Sequence, residues 1–406
     1  MTDHAKPNGA DRGRRIFIQG AGAAAATATF GLAAPAVLAQ SRAPLKLGLI
    51  NSFSKAIALA GTGTLNGMNL YLDETGGTLG GRKVDLLRED DEFTPQVGLQ
   101  KLRKFVESDK CDLVCGIQAS NVMLACLDYL KQSKQFFLCT GAGVAQLSYV
   151  HIPYFFRSSV STWQSHTPFG EWFCDNIAKE CVLSAMDYAG GRDTVGEFKL
   201  GFVKKGGKIV KEIFTPVGTG DYSPYLADIR SLAPPASYHF YVGPEASRFI
   251  RQYTELGLRA KIKLATSGFM IDDALPAAGK DAIGILSSSH YADTLDNPTN
   301  KKFTAAYAAK YKEPATQYAE YGYVAAQVLD HALKTVDGNA QDRDKLREAM
   351  LKVKFEAPRG PFSFNPDTQN PILDVYIREA VEIDGRIGSK ILKTLPQIRE
   401  PKEKPF

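Results

Sequence analysis

The feature that most constrains this chain is a change of period that keeps recurring. From Leu45 onward, short apolar runs of strand length alternate with longer stretches whose apolar residues fall at helical spacing, separated by Gly-rich turns. Strands are expected over 45–50, 83–89, from Leu113, 135–138 and 154–157, with helices over 65–74, 96–108 and from Val122. A long helix over 163–180 follows, and then the alternation restarts. Strands are expected at 182–186, 209–214, 238–242, 263–265 and 283–287, with helices at 194–204, 222–232 and 246–256. Strand–helix–strand repetition with short connections requires parallel strands covered by helices on both faces. The fold class is therefore α/β, with two doubly wound parallel sheets. The remainder is helical over 298–311, 315–335 and 343–353, and ends in antiparallel strands at 362–364 and 373–382. Extended or Pro/Gly-marked segments at 157–161, 287–291 and 355–360 are the natural points for the chain to cross between two lobes.

In open parallel sheets, polar ligands bind beyond the carboxyl ends of the strands, where loops meet helix N-termini. Two adjacent loops fit that position. The strand that begins at Leu113 runs into a polar loop before Val122, in which Ser120 or Asn121 can cap the following helix. The strand at 135–138 runs into Cys139-Thr140-Gly141-Ala142-Gly143. Together they read as one wall of a small-molecule site, or else only as helix caps.

At 406 residues the chain exceeds one small core, and two domains are expected. A net charge of +5 falls to +3 without the first 39 residues, too weak and scattered for a nucleic-acid partner. Those 39 residues contain Gly13-Arg14-Arg15-Ile16-Phe17-Ile18, a twin-arginine pair with an apolar continuation, then an Ala/Gly-rich stretch ending Ala36-Val37-Leu38-Ala39. This pattern resembles a Tat-type export signal cleaved near Ala39, and it places the mature protein in the periplasm. An exported chain meets oxidising conditions, so its six cysteines matter. Cys111 and Cys115 are roughly 13 Å apart along a strand, and Cys174 and Cys181 roughly 10 Å along a helix, both too far to bridge directly. Most are expected to be buried small hydrophobes. No CxxC, HExxH, GxxxxGK[ST] or GxSxG occurs, and the six histidines are scattered, so neither metal, cofactor nor catalysis is expected. His166 and His290 lie near the expected crossovers, where a histidine can line a cleft or simply cap a helix.

With these features in hand, the chain over about 45–382 resembles the periplasmic solute-binding proteins of the branched-chain amino-acid type, the receptors of ATP-driven importers. The resemblance rests on Leu47-Gly48-Leu49-Ile50, Asn66-Gly67-Met68, the glycines 76, 77, 80 and 81 before Arg82, and Gly116 with Ser120. It continues through Phe156-Arg157-Ser158, Asp187-Tyr188-Ala189-Gly190, Gly220-Asp221-Tyr222-Ser223 and Tyr321-Gly322-Tyr323. It implies a type I binding-protein fold, two lobes closing about a three-segment hinge. On that basis the first lobe comprises 40–160 with 290–357, the second 161–289 with 358–395, and 396–406 form a tail. It implies a monomer whose partners are a small-molecule carboxylate and the permease subunits of an ABC transporter. It further implies that Ser120, with the amides of Ala142 and Gly143, grips a ligand carboxylate, that Tyr188 closes over the ligand, and that Tyr318 stands at the cleft edge. Gln118 and His166 complete the expected lining. One departure bears on the ligand. Amino-acid-binding members hold the ammonium with a Glu, and Ser267 occupies the matching position. An unpaired ammonium in a dry cleft costs several kcal/mol, roughly. An aromatic carboxylate fits better, with rings from Phe53, Tyr188, Phe269, Tyr291 and Tyr318; an amino-acid or amide ligand, or a sensory role, are the alternatives.

Overall fold

The computed structural model describes residues Ala43 to Glu403. The export signal expected over 1–39 lies outside the described residues. The first sheet contains β1 (Leu45–Asn51), β2 (Thr78–Leu79), β3 (Arg82–Asp90), β4 (Leu113–Gly116), β5 (Phe137–Cys139) and β6 (Phe155–Arg157), in the order β2-β3-β1-β4-β5-β6. All its pairings are parallel except β2 with β3. The second holds β7 (Glu180–Met186), β8 (Lys208–Thr215), β9 (Ala236–Phe240), β10 (Lys263–Ser267) and β11 (Leu286–Ser289), parallel in the order β8-β7-β9-β10-β11. It is extended antiparallel by β12 (Lys354–Ala357), β13 (Gly360–Phe364), β14 (Pro371–Ile383) and β15 (Arg386–Ile398). The helices are α1 (Ala58–Glu74), α2 (Pro95–Arg103), α3 (Ser120–Ser133), α4 (Thr162–Asn176), α5 (Ala189–Lys204), α6 (Ser223–Leu232), α7 (Pro244–Glu255), α8 (Gly268–Ala278), α9 (Pro298–Tyr311), α10 (Gln317–Thr335) and α11 (Arg343–Leu351). Central strands such as β4 are buried along their whole length, as strands covered on both faces must be.

Each lobe is organised round a pair of helices that cross at glycines. A Cβ on Gly67 of α1 would lie 1.7 Å from the Ala319 carbonyl oxygen of α10, and one on Gly322 would lie 1.8 Å from that of Thr64. The second lobe repeats the device in α4 and α5, where Gly170 and Gly201 face the carbonyls of Phe198 and Thr167 at 2.1 and 1.9 Å. Backbone packed on backbone leaves no room for even one methyl group. This explains why α1 starts at Ala58 and not at the expected residue 65. The Gly and Thr residues of Ala60-Gly61-Thr62-Gly63-Thr64 have poor helix propensity, yet the small side chains of this stretch let α1 lie flat on α10.

The three segments that connect the lobes meet at a buried ionic cluster. Arg359, in the turn between β12 and β13, donates from Nε and Nη2 to the two carboxylate oxygens of Glu320 on α10, at 2.6 and 2.5 Å, and from Nη1 to the Ser158 carbonyl at 2.8 Å. His290, just past β11, lies 3.3 Å from Glu320 and stacks on Tyr321 with ring centroids 4.6 Å apart. Burial alone would raise the Glu320 carboxyl, but the Arg359 guanidinium outweighs it and holds it below the usual range. Burial, aided by Arg359, lowers His290 to about 4, so its contact with Glu320 is a hydrogen bond from a neutral ring.

Two expectations need revision. Residues 396–400 are not a tail, because β15 runs to Ile398 and Glu400 is buried. Its carboxylate accepts from Ser148 Oγ at 2.7 Å and from the Asn370 amide, and faces the Arg157 guanidinium at 3.6 Å. Helix α8 and strand β15 had no counterpart in the periodicity of the sequence. The short strands β2 and β12 were not expected either, and elsewhere the differences are shifts of a few residues. All six cysteines are free and buried; the expected helix carrying both Cys174 and Cys181 does not form, because α4 ends at Asn176 and Cys181 lies in β7. Among the described residues, no helix is long and apolar enough to cross a membrane. Gly322→Ala forces a methyl group into the Thr64 backbone and is expected to destabilise the protein by about 1–3 kcal/mol, read as a lower urea midpoint at unchanged slope.

Candidate functional site

Sheet order sets where a site can form. In the first sheet the strand order reverses about β1, with β3 on one side and β4 on the other; in the second it reverses about β7, between β8 and β9. Loops leaving the carboxyl ends of strands on opposite sides of such a point diverge and leave a crevice. The loops after β1, β4, β5, β7, β9 and β10 converge from both lobes on one cavity with about 420 Å³ of empty space, part of it open to solvent.

Six of the expected residues line it: Gln118, Ser120, Gly143, Tyr188, Phe269 and Tyr318. The wall they form begins with backbone strain. Gly116 closes β4 at φ +117°, where a Cβ would lie 1.9 Å from the Ile50 carbonyl oxygen, and Ile117 follows at φ +60°, rare for a β-branched residue. Hydrogen bonds fix the turn: Ile117 N–H donates to Ile50 at 2.6 Å, and Asn51 Oδ1 accepts from Gln118 N–H at 3.1 Å. The twist delivers the start of α3 to the cavity. Ser120 does not cap that helix. The N-cap is Ala119, and no side chain accepts from the first turn. Helix α5 reaches the cavity from the other lobe with Tyr188 as N-cap, again without a side-chain cap. Gly190 and Thr194, on its first turns, line the cavity. Two helix N-termini with free N–H groups thus face one space from opposite sides.

No ionised side chain lines that space. The nearest acids stand behind it and are engaged. Asp193 of α5 accepts from Ala145 N–H of the first lobe at 3.0 Å and from the Thr162 hydroxyl. Asp273 of α8 accepts from Gly243 N–H at 2.8 Å, and the Tyr318 hydroxyl is its other partner. Burial pushes the Asp273 carboxyl up to about 7, against the lowering effect of those two bonds. The remaining lining is aromatic and aliphatic. Phe269 and Tyr318 approach to 6.3 Å between centroids across the lobe boundary, and Tyr188 packs between Phe93 at 5.5 Å and Phe240 at 6.2 Å. Ile57 and Val242 add apolar surface.

The other expected residues lie elsewhere, each for a visible reason. Ala142 is buried beside the cavity, but its N–H donates to the Ile117 carbonyl at 3.0 Å and is spent on the fold. Ser267 caps α8 by accepting from Met270 N–H at 3.1 Å. His166 is in the second-lobe core, 3.0 Å from the Tyr238 hydroxyl, and burial lowers it to about 3. Phe53 is half-buried under the Arg88 guanidinium. Tyr291 lines a different cavity. The periodicity did not single out Ile57, Gly141, Thr162, Gly190, Thr194, Phe240 or Val242. Most of these follow carboxyl ends of parallel strands, a signal that marks the region but not the residue.

Parallel strand ends and an uncharged, two-sided cleft define a receptor that holds a solute between lobes. Residues 44–386 match the family described as periplasmic binding protein, and the chain belongs to that family. It is 28% identical over 382 residues to "Leu/Ile/Val-binding protein homolog 6" of Brucella abortus (strain 2308), covering 93% of this chain and 97% of that one. Among solved structures, it resembles a solute-binding protein of an ABC transporter from Rhodopseudomonas palustris BisB5 in complex with 3,4-dihydroxybenzoic acid. The TM-score is 0.84 and the identity 29%, over 88% of this chain and 99% of that one. A second, from R. palustris in complex with benzoate, gives a TM-score of 0.81 at 31% identity, over 86% and 96% of the two chains. The protein is an ABC-type substrate-binding protein with a type I fold, not an enzyme, and its family implies an extracytoplasmic location.

Because folded Asp273 holds its proton more tightly than the unfolded chain, its contribution favours the native state at low pH and is lost as pH rises from about 4 to about 7. Asp273→Asn keeps an acceptor for Gly243 and removes the titration. Urea unfolding across that range is expected to show a flatter pH dependence in the variant than in the parent.

Proposed function

We propose that this protein captures a small organic carboxylate with an aromatic body between its two lobes, in the periplasm, and delivers it to the permease of an ABC importer. One observation carries the reading: the cavity is lined by two uncapped helix N-termini and by rings, and by no ionised side chain. Main-chain N–H groups and hydroxyls at helix N-termini hold an anion without a counter-charge. A benzoate-like body matches the walls made by Tyr188, Phe240, Phe269 and Tyr318. In this reading Ser120 Oγ and Gly143 N–H bind the carboxylate, Gln118 orients it, and Tyr188 closes over the ring. The lobes, divided at the segments that meet at Glu320, close on the ligand as a monomer. The Rhodopseudomonas relatives support the aromatic class, as their structures hold 3,4-dihydroxybenzoic acid and benzoate.

The name of the Brucella relative favours a second reading, a branched-chain amino acid. That ligand brings an ammonium, which in a dry cavity needs a carboxylate within reach. Asp193 and Asp273 already have donors, so an amino acid would have to take one of them over.

Isothermal titration with benzoate, 4-hydroxybenzoate, 3,4-dihydroxybenzoate and leucine separates the two. Saturable heats with a benzoate and none with leucine are expected; tight leucine binding without response to the acids would refute the proposal. With the bound acid identified, Ser120→Ala is expected to weaken it by roughly 1.5–3 kcal/mol, the worth of a hydrogen bond to a charged group. An unchanged Kd would remove Ser120 from the contact set.

A further inference from the structure

A second and larger cavity lies on the far side of the contact between α8 and the start of α10. It contains about 1200 Å³ of empty space and opens partly to solvent. The two cavities share these elements. Phe269 and Tyr318 face the first, while Asp272, Leu275 and Gln317 face the second. Nothing in the proposed capture of a carboxylate uses this space.

Two buried polar side chains that line it have no hydrogen-bond partner. Gln317, in the first turn of α10, is 1% exposed, and neither its Oε1 nor its Nε2 is bonded. Tyr291, also 1% exposed, has an unbonded hydroxyl. A buried amide or hydroxyl without a partner costs about 1–3 kcal/mol, so such groups persist where something else satisfies them.

The charged groups on the wall are already satisfied. Arg378 places its guanidinium against five acceptors: Ser287 Oγ, the Tyr291 and Gly268 carbonyls, and both carboxylate oxygens of Asp272. Asp293 pairs with Arg386 at 2.6 Å, and Glu313 accepts from the Tyr307 hydroxyl. An anionic ligand would therefore meet no free counter-charge, and a cationic one only the exposed Glu313 carboxylate, while a neutral one would find an amide, a phenol and apolar walls from Leu275, Pro276 and Ile387.

We propose that this cavity is a second small-molecule site, selective for an uncharged ligand with an apolar body and a terminal amide or hydroxyl that pairs with Gln317 and Tyr291. The site is independent of the carboxylate reading, since it shares no lining residue with the first cavity.

Benzamide is a suitable probe, being neutral and carrying both a donor and an acceptor. Titration of the purified protein, followed by ligand-observed NMR and calorimetry, is expected to show saturable binding with one benzamide per chain. Gln317→Leu should weaken it by roughly ten-fold or more, the equivalent of one buried hydrogen-bonded group. Leu275→Trp, which fills the cavity from a half-buried position, should abolish it with the far-ultraviolet circular dichroism unchanged. Ser120→Ala should leave it within about two-fold. Absence of saturable binding, or binding that survives Gln317→Leu and Leu275→Trp, would overturn the proposal. So would binding lost in Ser120→Ala, which would place benzamide in the first cavity and leave the carboxylate reading to its own test.

Discussion

The Arg359–Glu320 pair is the interaction on which this architecture turns. Both side chains are wholly buried, and moving two charges from water into an interior costs several kcal/mol per ion, roughly, unless every lone pair and proton finds a partner. Here much of that requirement is met. Glu320 receives two N–H groups of Arg359 and one of a neutral His290, and Arg359 also donates to the Ser158 carbonyl. These contacts come from all three segments that pass between the lobes. The cluster therefore fixes where the connections sit together while leaving each sheet to pack on its own helices. A second buried group, Glu400 with Arg157, Ser148 and Asn370, ties the end of the described chain to the same region.

Around that fixed point the two lobes are built alike without being alike in sequence. Each has a parallel sheet that reverses its strand order once and a helix pair that crosses on glycines. Each also sends one uncapped helix N-terminus into the shared cleft. The polarity of the site follows from this construction. Charge in the cleft is supplied by main-chain dipoles, and the acids that could reverse its preference, Asp193 and Asp273, are held by bonds that also bridge structural elements. In the proposed reading, selectivity rests as much on which carboxylates are kept occupied as on which groups touch the ligand.

Much of the fold was legible because parallel strands buried on both faces leave continuous apolar runs, and the helices between them keep a 3.6-residue period. What failed did so for physical reasons. The first turns of α1 looked like a loop because Gly and Thr are poor helix formers, and only packing against α10 makes smallness an advantage. Helix α8 was hidden because it is apolar on most sides and carries Pro276 within it. The antiparallel edge strand β15 is largely exposed and polar, with no alternation strong enough to announce it. At the site, Ser120 and Gly143 line the cavity, as their position after β4 and β5 suggested. His166 was misplaced because its partner in space, the Tyr238 hydroxyl, is not visible along the chain, and Ser267 because the helix it caps, α8, was itself not read.

By itself, then, the sequence determined the alternation of strands and helices, the burial of the cysteines, and the loops at which a ligand wall forms. All of these are local consequences of apolar period and turn chemistry. Tertiary structure alone decided that Ala142 N–H is spent on Ile117, that Asp193 and Asp273 stand behind the cleft with their donors, and that Gln317 and Tyr291 face a second cavity unpaired. Those outcomes depend on which groups distant in the chain are brought within hydrogen-bonding distance, and no periodicity encodes that.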